Sequence, residues 1–178
     1  MNISFSSGHV CFQPKYRPVL GLSEKIIAIK CINYNEIPIT QHLLYLRQSF
    51  PSDILVLIHV DFLIARQIFM QSVIKTSLHS ILNLRLVISE DFPNLNEGQN
   101  DLLIEELYKI SPLWLWGLGN ARAGMIPVME GLFEGVIIDS NFYAEYKSSL
   151  IFKTMINILK QHTEYIIADE NNELYQIE

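Results

Sequence analysis

Short runs of valine, isoleucine and leucine alternate along this chain with longer stretches of helical amphipathic pattern. The runs cover residues 26–32, 54–60, 84–89, 113–116, 136–139 and 165–168. Several are almost continuously apolar. That is the pattern of strands buried on both faces, not the every-second-residue alternation of a half-exposed sheet. An earlier run at 16–20 is predicted to pair with 26–32 through a turn over 21–25. Between the runs, helices are predicted over 40–50, 62–82, 101–110 (capped by Asn100), 124–133 (with Pro127 in the first turn) and 142–162 (capped by Asn141). The apolar stripes of 62–82 and 142–162 are expected to pack onto the sheet.

Strand, helix, strand, repeated at intervals of roughly 25 residues, implies parallel strands joined by right-handed crossovers. A doubly wound sheet and a TIM barrel both satisfy it. Gly117-Leu118-Gly119 alone does not make a dinucleotide fingerprint, and the chain holds no P-loop, HExxH, paired CxxC or GxSxG. No linker-like stretch divides it, so one domain over 1–178 is expected.

The composition sharpens this picture. With 49% apolar and 18% charged residues the 178-residue chain is no disordered segment, and either its core is large for its length or apolar surface is left for a partner. A net charge of -6 argues against direct nucleic-acid binding. Met1-Asn2-Ile3-Ser4-Phe5 does not read as a secretory signal. The longest apolar stretch, 54–65, is interrupted by His59 and Asp61 and is too short for a membrane span, so a cytoplasmic location is expected. Cys11 and Cys31 lack metal spacing and are read as free thiols.

The chemistry is concentrated where a barrel enzyme holds it, at the C-terminal ends of the strands. Those positions read Lys30-Cys31-Ile32, His59, Val87, Trp116-Gly117 and Ile137. A cation, an imidazole, aliphatics, an indole and a glycine do not hold a divalent metal jointly. The layout is that of an enzyme, the side chains are not, and this points to a partner-binding role.

The order of these segments resembles the EAL-domain family, the TIM-barrel-like phosphodiesterases of cyclic di-GMP. The family's opening Tyr-Gln-Pro strand is Tyr16-Arg17-Pro18-Val19 here, and its Glu-Ala-Leu is Lys30-Cys31-Ile32. Its metal-binding Asn is His59, and its Glu-x-Thr-Glu is Val87-Ile88-Ser89-Glu90. Its Asp-Asp-Phe-Gly-Thr-Gly is Trp116-Gly117-Leu118-Gly119-Asn120-Ala121, and its Lys-Ile-Asp is Ile137-Ile138-Asp139. Its Ala-Glu-Gly-Val-Glu is echoed loosely by Ala168-Asp169-Glu170. The segment 84–142, with Phe92-Pro93-Asn94-Leu95-Asn96-Glu97-Gly98, looks like the degenerate, anti-flagellar branch of the family.

The resemblance implies a degenerate, shortened EAL barrel, an α/β fold that is incomplete because the chain stops at Glu178 before a closing strand and helix. It implies no catalytic, metal-binding or cyclic di-GMP-binding residue, no cofactor and no enzyme. It implies FlhD, a subunit of the flagellar transcription activator, as the partner to be silenced. The runner-up is a non-catalytic cyclic di-GMP receptor, for which Arg17, Trp116 and Arg122 are the suggestive residues. Lys30 is expected either to replace the metal as a cation beside Glu90 or Asp139, or to reach solvent. Further expectations are His59 as a strand-end histidine bonded to a neighbour, Trp116 as a plug in the cavity, and Asp169, Glu170, Glu173 and Glu178 as a solvated tail.

Overall fold

The computed structural model describes residues 14–34, 38–42, 50–120 and 125–178. Cys11, Arg122 and most of the helix expected over 40–50 lie outside the described residues.

The strands are β1 (Tyr16–Leu20), β2 (Ile26–Cys31), β3 (Leu55–His59), β4 (Leu84–Ser89), β5 (Leu113–Leu118), β6 (Phe133–Ile138), β7 (Tyr165–Glu170) and β8 (Glu173–Gln176). They form one closed barrel in chain order. β2 through β7 run parallel, β1 pairs antiparallel with β2, and β8 pairs antiparallel with β7. The expected α/β barrel is therefore present, and so is the β1–β2 hairpin. The expected gap is not. β8 fills it, pairing with β1 through Val19–Leu174 and Leu20–Tyr175. The turn that returns the chain is Asn171-Asn172, with φ of 51° and 65°. Asparagine tolerates this left-handed conformation, and such two-residue turns match the twist of a hairpin. Asp169, Glu170 and Glu173 thus belong to barrel strands and not to a solvated tail.

The helices are α1 (Phe62–Met70), α2 (Ser72–His79), α3 (Leu102–Ile110), α4 (Ile126–Met129), α5 (Ser140–Tyr146) and α6 (Leu150–His162). The single helix expected over 62–82 breaks at Gln71, whose backbone is extended. The one expected over 142–162 breaks before Ser149, which caps α6 by accepting from the Phe152 N–H. The expected caps are also displaced. Asp101, not Asn100, caps α3, and Asp139, not Asn141, caps α5. In each case a carboxylate, one position after Asn100 and two before Asn141, reaches two free amides at once, and its charge suits the helix N-terminus.

The nearly continuous apolar runs are explained by two packing layers. Outward residues such as Val56, Ile58, Leu86, Ile88, Val136 and Ile138 meet Ala65, Ile68, Leu78, Ile104, Leu107, Phe152 and Leu159 of the helices. Inside the ring, each strand gives one residue to a second cluster: Val19, Ala28, Leu57, Val87, Trp114, Ile137, Ile167 and Leu174. Trp114 is the largest of these, and it fits because Gly135 faces it. A β-carbon at Gly135 would stand 2.6 Å from the indole.

Candidate functional site

Two residues along each strand beyond the inner apolar layer the chemistry changes, because side chains on one face recur with period two. Lys30 follows Ala28, His59 follows Leu57, Ser89 follows Val87, Trp116 follows Trp114, Asp139 follows Ile137 and Asp169 follows Ile167. These residues form the mouth of the barrel. Val87 and Ile137, read from the sequence as strand tips, are fully buried in the layer beneath.

A cavity of about 390 Å³ opens at the mouth, lined by Tyr34, His59, Ser89, Glu90, Asp91, Trp116, Gly117, Asn120 and Asp139. The sequence reading supplied His59, Glu90, Trp116, Gly117 and Asp139. Ser89 and Asn120 are present in the quoted motif segments without a role of their own, whereas Tyr34 and Asp91, from loops after β2 and β4, were missed. Their signal was positional only, since residues just past a barrel strand tip face the mouth.

Lys30 is only 7% exposed, so it does not reach solvent. Nor does it take the place of a metal beside Glu90 or Asp139. Its ammonium lies 3.3 Å from the centroid of the Trp116 ring. The negative π face supplies part of what water no longer does. Trp116 therefore serves as a seat for this cation rather than as a simple plug. Burial lowers the Lys30 pKa to about 8, with Arg17 adding to the effect and Asp169 and Cys31 opposing it. Arg17 is the β1 partner of Lys30 and lies 3.7 Å from Asp169. Burial pushes the Asp169 carboxyl up, while Arg17 and Lys30 hold it down.

His59 is stacked on Tyr34, with centroids 4.3 Å apart, in place of the expected hydrogen bond. Burial, and then the charge of Lys30, lower its pKa to about 4, so the ring is neutral at physiological pH. Asp61 is used elsewhere, because its Oδ1 accepts from the Ile64 N–H at 2.8 Å to cap α1. Asp139 is likewise committed, its Oδ1 accepting from the amides of Asn141 and Phe142 at 3.0 Å each. Ser89 donates to the Asp91 carboxylate. On the opposite face of β2 from Lys30, the Cys31 Sγ lies 3.3 Å from His42 Nε2. Burial raises the thiol pKa and lowers that of the imidazole, so both partners are neutral.

Among the described residues no three His, Cys, Asp or Glu side chains converge into a set suited to a metal ion. The divalent cations implied for active EAL-domain members do not fit here. Lys30 would repel them, Val87 and Ile137 offer no ligand atom, and Asp139 already serves the backbone.

The comparisons agree with the geometry. No family model matches the chain. By structure it carries the EAL-like barrel. It superposes on the crystal structure of the EAL-like domain protein YdiV with a TM-score of 0.71 at 18% identity, covering 90% of this chain and 87% of that one. The EAL domain of Mycobacterium smegmatis DcpA gives a TM-score of 0.61 at 14% identity, covering 92% of this chain and 86% of that one. By sequence the chain is similar to a particular regulator. It is 30% identical over 76 residues to the anti-FlhC(2)FlhD(4) factor YdiV of Salmonella choleraesuis strain SC-B67, a match covering 43% of this chain and 32% of the relative. The aligned part thus spans about a third of the length of the curated relatives it matches. No helix among the described residues is long and apolar enough to cross a membrane.

Proposed function

We propose that this chain, acting as a single domain in the cytoplasm, is a non-catalytic regulator. It binds the FlhD subunit of the flagellar activator and represses flagellar gene expression and motility. The observation that carries this reading is the seat of Lys30 on Trp116, where active EAL-domain members need hard anionic ligands. Similarity to anti-FlhC(2)FlhD(4) factors supports the choice of partner. The mechanism is steric: the barrel covers a surface that the activator needs, and affinity is concentrated in a few apolar contacts.

The test is co-purification with FlhD followed by size-exclusion chromatography. Co-elution at micromolar concentration is expected, and separate elution overturns the assignment. In parallel, cyclic di-GMP incubated with the protein and magnesium or manganese is expected to remain intact. Measurable turnover would show that the site is an enzyme's.

A further inference from the structure

The net charge of the chain is -6, yet no aspartate or glutamate occurs anywhere from Phe62 through Ser89. This acid-free stretch contains α1 and α2, and apolar side chains are exposed on the outer side of α1 and at the start of α2. Phe62, Leu63, Phe69, Met70 and Val73 are all exposed, Met70 and Val73 at 77% each. Their spacing puts them on one side of the α1–α2 unit, while Ala65, Ile68, Ile74 and Leu78 on the other side pack onto the barrel. Two cations border the aromatic rings. The Arg66 guanidinium lies 5.9 Å from the Phe62 centroid, and the Lys75 ammonium lies 5.1 Å from the Phe69 centroid. Arg66 is exposed and in no ion pair among the described residues, whereas Lys75 is shared with Glu106 of α3.

We propose that the outer face of α1 and α2 is the docking surface for the activator, and that its occupant is an amphipathic helix carrying an apolar stripe flanked by carboxylates. The inference rests on the function proposed above and names the surface that performs it. Charge complementarity selects the occupant. An apolar face that carries the unshared Arg66, and whose neighbouring carboxylate Glu106 is already paired with Lys75, favours a partner whose rim is acidic over one whose rim is basic. The same logic disfavours an anionic lipid surface, since the molecule as a whole is negative and Arg66 is the one unshared cation on this face among the described residues. Five exposed apolar side chains on adjacent turns also exceed what scattered surface leucines and valines explain.

The experiment measures the affinity of the full chain for FlhD by surface plasmon resonance, for the wild type, Met70→Asp combined with Val73→Asp, and Arg66→Glu. A control, Leu150→Asp, changes a side chain that is 79% exposed on α6, across the ring. Affinity is expected to fall by about tenfold or more for both α1–α2 variants, with the control unchanged and all melting temperatures alike. Arg66→Glu leaves every apolar side chain in place, so its loss of binding cannot come from a damaged core. Wild-type binding retained by both variants overturns the inference and spares the proposed function. Absence of wild-type binding overturns both. Self-association of the wild type that Met70→Asp with Val73→Asp abolishes, while FlhD binding persists, assigns the face to a second copy of this chain and also overturns it.

Discussion

Single residues at the mouth set the pH behaviour of this molecule. Lys30 holds its proton up to pH 10.5 in the unfolded chain but only to about 8 in the fold. Between those values the unfolded state binds more protons, so stability rises with pH. Against Lys30→Met, the wild type is expected to gain up to about 3 kcal/mol between pH 8 and 10.5, read from urea midpoints. An equal pH slope in both proteins would show that the ammonium is solvated. His59 has the same sign in an acid window. Its folded pKa of about 4 lies below the ordinary 6.5, so stability is lost as pH falls through that interval. His59→Asn is expected to remove up to about 3 kcal/mol of that loss, visible as a flatter dependence of melting temperature on pH from 6.5 to 4. The identities of these residues were legible in the sequence, but their partners were not. That a lysine would rest on an indole rather than on Glu90 depends on which strand tips meet across the ring, and the spacing along the chain does not contain that.

At the scale of elements, two close approaches carry the barrel. Gly135 lies under Trp114, so Gly135→Ala presses a methyl group into a fully buried ring. It should destabilise the fold by roughly 1–3 kcal/mol in chemical denaturation, as overpacking does. An unchanged midpoint would mean that Trp114 has room to move. The other approach is the β7–β8 hairpin, which closes the ring. Tyr175 fastens it, donating its one hydroxyl proton to the Glu170 carboxylate at 2.6 Å and accepting from the Tyr143 hydroxyl at 3.2 Å. Truncation after Glu170 removes β8 and is expected to broaden the unfolding transition or abolish it. A truncated chain that still melts sharply would show that closure is dispensable. The strands were readable from their apolar runs because burial on both faces leaves a strong signal. β8 was not, since Glu173, Tyr175 and Gln176 look like a polar end until Asn171-Asn172 is recognised as a turn. The helix breaks at Gln71 and before Ser149 were hidden for a related reason. Apolar periodicity continues across them, and only Ser149 acts as a side-chain cap, Gln71 making no such bond.

The whole molecule joins an enzyme's architecture to a mouth in which several polar groups are already engaged. Asp61 and Asp139 cap helices, Arg17 lies beside Asp169, Lys30 sits on Trp116 and His59 stacks on Tyr34. The proposed docking surface lies on the exterior, on the outer face of α1 and α2. The interior departures from the EAL pattern were plain in the sequence because metal ligands admit few substitutes. The exterior was not, because exposure is a property of the folded chain, and the stripe over 62–82 reads equally well as core. Isothermal titration of this chain with purified FlhD tests this account most directly. Saturable binding with a micromolar or tighter dissociation constant is the result it predicts, and the absence of any saturable heat at concentrations well above that range would contradict it.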